Sequence, residues 1–222
     1  MRKQMKKIFA VVMALIMVLG MTSMSFATTG ECTVKCYIPT SYENPITETT
    51  VTPSIPSYYT DTTVSGMKGI SATVDLSKIT DWTVTPPEGF KGLFNTDPTL
   101  PYLPTAFDAL YTGYGTAGET ADTMTYGFDT YSYSDTGVPM HGIYFSKLGG
   151  LVSDEFDSYY DAETASGYWI GYSWTLYDIP AGVSFDPANP DAQYKTEYYA
   201  NNIVGTEGHT YYMIFEYNEE YF

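Results

Sequence analysis

Residues 167 to 178 read GYWIGYSWTLYD, with two tryptophans and three tyrosines in twelve positions. An extended chain sends successive side chains to opposite faces, so parity divides this segment in two. Tyr168, Ile170, Tyr172, Trp174 and Leu176 share one face and form a continuous apolar stripe suited to a core. Trp169, Gly171, Ser173, Thr175 and Tyr177 share the other, which is small and polar in the middle with an aromatic at each end. The second face has the composition of a shelf for a ligand edge, or of a surface covered by another element. The segment therefore predicts a β-strand with one committed face and one face open to function.

The same parity rule reads other stretches as strands. In ECTVKCYIP, Cys32, Val34, Cys36 and Ile38 fall on one face. On a strand the two cysteines start from backbones about 13 Å apart, too far for a disulfide, which needs Cα atoms within about 7 Å. Buried thiols are the expectation, and no histidine or further cysteine stands nearby to complete a metal site. In TYYMIFEY, Tyr211, Met213, Phe215 and Tyr217 share a face and Glu216 lies opposite. Residues 70 to 76 (ISATVDL) and Trp82 to Thr85 also read as strands, and Thr130 to Ser134 leads through Asp135-Thr136-Gly137 into MHGIYFSKL as a hairpin. Gly149-Gly150 marks a turn. From Thr40 to Thr63, Pro45, Pro53 and Pro56 interrupt any ladder, so this part reads as extended decoration. PAGVSFDPANPDAQ reads as a loop, and KTEYYANNIV as a strand or a single helical turn.

One helix is predicted, over about 105–112. Thr105 can cap it, Asp108 sits in its first turn, and Gly113 can end it. The fold class expected is α+β, mainly antiparallel β-sheet with one short packed helix.

Arg2, Lys3, Lys6 and Lys7 precede the apolar run IFAVVMALIMVLGM, and Ser25-Phe26-Ala27 offers small residues for cleavage. Residues 1–27 read as a secretory signal peptide, so the mature chain is expected outside the cell with no membrane attachment. Residues 28–100 then read as strands and a Thr/Pro/Tyr-rich extended segment, and 101–222 as the core of the same domain. Of 10 Lys and Arg residues, four lie in the leader, which leaves six against 26 acidic residues and a net charge of −20. Such a surface repels phosphate backbones, which argues against nucleic acid as a partner.

No HExxH helix, Walker loop, Gly-x-Ser-x-Gly elbow or EF-hand loop occurs. The two histidines, His141 and His209, each adjoin a glycine and read as turn or strand-edge residues, so no enzyme activity is expected. The acidic run from Asp154 to Glu163 has oxygen ligands of the kind calcium takes, but its irregular spacing reads as a solvated loop.

Taken in order, ECTVKCYI, TAFDAL, HGIYFSKLGGL, SGYWIGYS and EYYANNIVGTEGHTYYMIFEY resemble a bacterial secreted domain of unknown function. That domain is similar to the C-terminal domain of the cobalamin carriers transcobalamin and intrinsic factor. The matching positions are Tyr168-Trp169, Tyr198-Tyr199, Glu207-Gly208 and Ile214 to Tyr217. Ser173-Trp174 departs from the family pattern, which has Asn-Gly there, and the insertion from Ala181 to Gln193 is long. The resemblance implies a corrinoid or other small planar ligand, met by Trp169 with Tyr168 and Tyr199 nearby and with Gly171 and Ser173 leaving room for a ligand edge. The alternative expectation is a structural or adhesive module whose tyrosine-rich surface contacts an extracellular protein or glycan.

Overall fold

The thiols of Cys32 and Cys36 are buried beneath the sheet that organises the chain. They belong to β1 (Glu31–Pro39), where Cys32, Val34, Cys36 and Ile38 are all buried on one face as their alternation requires. Both cysteines are free. Burial pushes the Cys32 thiol up to about 11 and the Cys36 thiol well above its ordinary value, so both act as small apolar groups. The computed structural model describes residues 30–221 other than 88, 89, 91, 92, 96, 98, 133–138, 162, 165, 197 and 198. The signal peptide read over 1–27, the turn at 135–137 and Tyr198 lie outside the described residues.

β1 runs antiparallel to β4 (Met67–Asp75) and parallel to β9 (Thr210–Tyr221). β9 is antiparallel to β8 (Ser166–Ile179), and β8 to β7 (Asp154–Asp161), giving the order β4-β1-β9-β8-β7. The small hairpin of β2 (Tyr42–Asn44) with β3 (Thr49–Val51), and a larger one of β5 (Thr125–Ser132) with β6 (Pro139–Lys147), complete a mostly antiparallel, β-rich fold of coarse α+β type. Among the described residues no helix is long and apolar enough to cross a membrane.

One face of the five-stranded sheet is covered by the α-helix α1 (Ala106–Ala117) and by the β5–β6 hairpin. Phe107 and Tyr114 of the helix meet Phe145 of β6, with ring centroids 5.1 and 5.9 Å apart. The predicted cap is present in full: Thr105 Oγ1 accepts from the Asp108 amide, and the Asp108 carboxylate accepts from the Thr105 amide at 2.9 Å. The helix runs past Gly113, contrary to expectation. There the missing side chain lets α1 lie against Val34 and Val74, and the stop comes at Gly118, whose φ of 118° few other residues adopt.

Two further expectations are corrected. Trp82 to Thr85 forms no strand, because the amide and hydroxyl of Thr83 donate to Asp108 (3.2 and 2.8 Å) instead of to a ladder. The acidic run from Asp154 is a strand, not a loop, held by its backbone ladder to β8 rather than by a buried face of its own. Among the described residues no group of three or more His, Cys, Asp or Glu is placed to hold a metal ion. The segment from Thr40 to Thr63, read as decoration, packs on the core through Tyr59. Tyr59 is buried and its hydroxyl donates to Glu119 at 2.6 Å, while Glu119 also accepts from the Gly149 amide at 2.8 Å. One buried carboxylate thus ties the Pro-rich segment to the end of α1 and to the Gly149-Gly150 turn.

Candidate functional site

Along its length β8 passes through three environments. On the even face, Trp174 and Leu176 join the main core, and Trp174 packs on Phe215 at 5.0 Å between centroids. Tyr172 lies between Tyr42, stacked at 4.1 Å, and Phe215. Tyr168 and Ile170 are only partly buried. On the odd face the order reverses. Tyr177 and Ile179 are buried beneath Phe185 and Tyr194 of the 180–194 loop, and the Tyr177 hydroxyl donates to Glu216 at 2.7 Å. Burial first, and then that bond, raises the Tyr177 pKa.

The edge of β8 is interrupted. Its ladder with β7 stops at Tyr172, and the next partner on that side is Lys195, opposite Tyr177, where the Thr196 amide donates to the Leu176 carbonyl at 3.0 Å. At this gap lies a groove of about 700 Å³. Trp174, Leu176 and Met213 line its inner side, Ile143 to Ser146 of β6 form one wall, and Val152-Ser153 with Lys195, Thr196, Tyr199 and Ala200 flank it. Its size falls in the range of sites that take small organic ligands, and its lining mixes apolar side chains with polar and charged ones, Asp129, Lys195 and Glu220 among them.

The polar groups are positioned by a small network. Asn218, buried on β9, donates to Ser173 Oγ at 3.0 Å and to Thr175 Oγ1 at 3.1 Å, and its carbonyl oxygen accepts from Lys195 Nζ at 2.9 Å. Lys195 is thereby held at the edge of the groove, its ammonium on the β8 face opposite Trp174 and Leu176. On the opposite wall the Tyr199 hydroxyl donates to Asp129 at 2.7 Å. The Tyr199 ring lies directly on the backbone of Gly142, where any side chain would collide with it. Asn201 fixes this arrangement: fully buried, it accepts from the Ile143 amide at 2.8 Å and so fastens the 3-10 turn Ala200–Asn202 to β6.

Of the five residues singled out from sequence, Ser173 and Tyr199 line the groove and Trp169, Tyr168 and Gly171 do not. The Trp169 indole N–H donates to Glu155 at 2.9 Å. Its ring folds over Gly171, reaching within 2.9 Å of where a side chain there would begin, so the room left by this glycine is taken up by Trp169 itself. Tyr168 donates to Asp157 at 2.9 Å on the other face. Sequence reasoning missed Trp174 as a groove residue, having assigned it wholly to the core, and missed Lys195, Asn218 and Asn201. Lys195 carried one legible signal, since it is the only basic residue after Lys147. His141 lies on β6 with Nδ1 2.8 Å from Thr130 Oγ1, and His209 pairs with Asp178 at 2.7 Å.

Compared with known protein families, curated proteins and solved structures, the chain has no match in any of the three.

Proposed function

We propose that this chain is an exported, non-catalytic binding domain that takes a small planar ligand in the groove between β6 and the interrupted edge of β8. The observation that carries this reading is a groove of about 700 Å³ lined by Trp174, Tyr144 and Tyr199, with Lys195 held at its rim by Asn218. Flat rings offer large contact area at little entropic cost, and a few fixed polar groups supply orientation. A corrinoid is the first ligand to test, because the resemblance described above implies one. Its corrin edge, fringed with amide groups, would meet polar groups of the wall that faces Trp174, among them the Asp129 carboxylate and the Tyr199 hydroxyl.

The test is a titration of the purified protein with cyanocobalamin, and with smaller planar compounds in parallel, following tryptophan fluorescence. The reading expects saturable quenching that survives Trp169→Phe, disappears with Trp174→Phe, and needs about 3- to 10-fold more ligand after Tyr199→Ala, the change that loss of one aromatic contact brings. Quenching that depends on Trp169 and not on Trp174 would move the site to the outer strand. No saturable response to any compound would end the proposal.

A further inference from the structure

β7, β8 and β9 carry at their outer end a second surface, independent of the groove. Tyr159, Tyr168 and Tyr221 stand opposite one another in register across the three strands, with successive ring centroids 6.2 and 6.3 Å apart. Tyr217 adjoins the row on the same face. Tyr159 and Tyr221 are 57 and 72 % exposed, unusual for large rings on a sheet that has a well-filled core elsewhere. Two carboxylates share this face and are fixed beside the rings: Asp157 accepts from the Tyr168 hydroxyl at 2.9 Å, and Glu219 from the Tyr217 hydroxyl at 2.6 Å. Neither carboxylate has a cation partner among the described residues. The one lysine–carboxylate pair among the described residues is Lys78–Asp75, His209 contacts Asp178, and residues 148 to 194 and 196 to 222 contain no lysine or arginine.

We propose that this surface binds an extended, arginine- or lysine-rich peptide segment, laid along β7 with alternate basic side chains crossing onto the tyrosine row. A guanidinium or ammonium over a tyrosine face gains from the ring quadrupole, and a carboxylate anchored at the ring's rim adds an ion pair in the same place. The main chain has a place as well. β7 is the outermost strand of its sheet, so its far edge offers backbone groups to an added strand. A second copy of the chain is a poor occupant, because pairing β7 with itself would set one strand carrying Asp154, Glu155, Asp157 and Asp161 against another with the same four negative charges. A neutral glycan could stack on the rings but would leave the two carboxylates without the opposite charge they lack.

The test uses the whole mature chain and a fluorescein-labelled octapeptide of alternating arginine and threonine, followed by anisotropy, with a glutamate–threonine octapeptide as control. Saturable binding of the basic peptide alone is expected. Tyr159→Ala and Tyr221→Ala, both at exposed positions, should each weaken it about 2- to 5-fold. Asp157→Asn combined with Glu219→Gln should weaken it further and flatten its salt dependence. Methylating the peptide's backbone nitrogens at alternate positions should abolish binding in one of the two possible registers. The proposal is overturned if the basic peptide fails to bind, if it binds with no sensitivity to the tyrosines, or if a neutral oligosaccharide occupies the tyrosine row in its place.

Discussion

Two glycines of α1 make a paired experiment that separates helix propensity from packing. Gly113 faces the sheet: a methyl group there would run into Val34 and stand 2.9 Å from Val74 Cγ2. Gly115, two residues on, has nothing within 4 Å of that position and is exposed. In an isolated helix both changes to alanine stabilise, by up to about 1 kcal/mol each, because glycine has more backbone freedom to lose. At Gly115 nothing opposes this, so Gly115→Ala should gain about 0.5–1 kcal/mol. At Gly113 the methyl overpacks two β-branched side chains fixed on the paired strands β1 and β4, a cost of about 1–3 kcal/mol. The contact with Val34 is close enough to call for the upper part of that range, so Gly113→Ala should lose about 1–2 kcal/mol overall. With about 2–4 °C of melting temperature per kcal/mol for a domain of this size, the two variants should move in opposite directions by a few degrees. Thermal melts followed by circular dichroism, backed by urea titration, measure both. If Gly113→Ala stabilises as much as Gly115→Ala, the close seating of α1 on β1 and β4 is wrong.

Alkaline stability offers a second check. Burial raises the pKa values of Tyr59, Tyr114 and Tyr211, whereas tyrosines of the unfolded chain ionise near pH 10. Their contribution is therefore complete below about pH 10 and is lost as pH rises toward the folded-state values, at a cost near pH 11 of about 1.4 kcal/mol for each. Urea midpoints at pH 8, 9.5 and 11 should be level and then fall, and a level midpoint at pH 11 would contradict the burial of these hydroxyls. At the groove, Gly142→Ala drives a methyl group into the Tyr199 ring. Amide exchange at Asn202, whose N–H donates to the Tyr199 carbonyl at 2.8 Å, should quicken while that of β9 stays slow. Unchanged exchange at Asn202 would mean that the ring is not seated on Gly142.

What could be read beforehand follows from how local each signal is. The capping of α1 by Thr105 and Asp108 and the buried alternation of β1 are written within a few residues, and both appear as expected. β7 was illegible because its backbone pairing, not its own pattern, makes it a strand. The groove is assembled from residues spread over more than fifty positions, on β6, on β8 and at Lys195, Thr196, Tyr199 and Ala200. Ser173 could be chosen by parity and Tyr199 by resemblance. Lys195 reaches the site only through Asn218, a partner that no spacing rule connects to it.

Parity on β8 assigned faces correctly without revealing how far each face is covered, and the difference is one of length. Fourteen residues of strand extend about 46 Å, whereas the twelve residues of α1 reach about 18 Å even if laid along the strands. The helix sits over β1 and β4, and the β5–β6 hairpin reaches β8 only near Trp174 and Leu176. An even-numbered aromatic is consequently core at Trp174 and surface at Tyr168, six residues or about 20 Å away. On the odd face the 180–194 loop buries Tyr177 and does not extend to Trp169, which folds back over Gly171 instead. The tyrosine row exists because three strands outrun the layer that covers them. The hydroxyls keep these rings compatible with water there, and unpaired carboxylates beside them favour an incoming cation over burial against another apolar face.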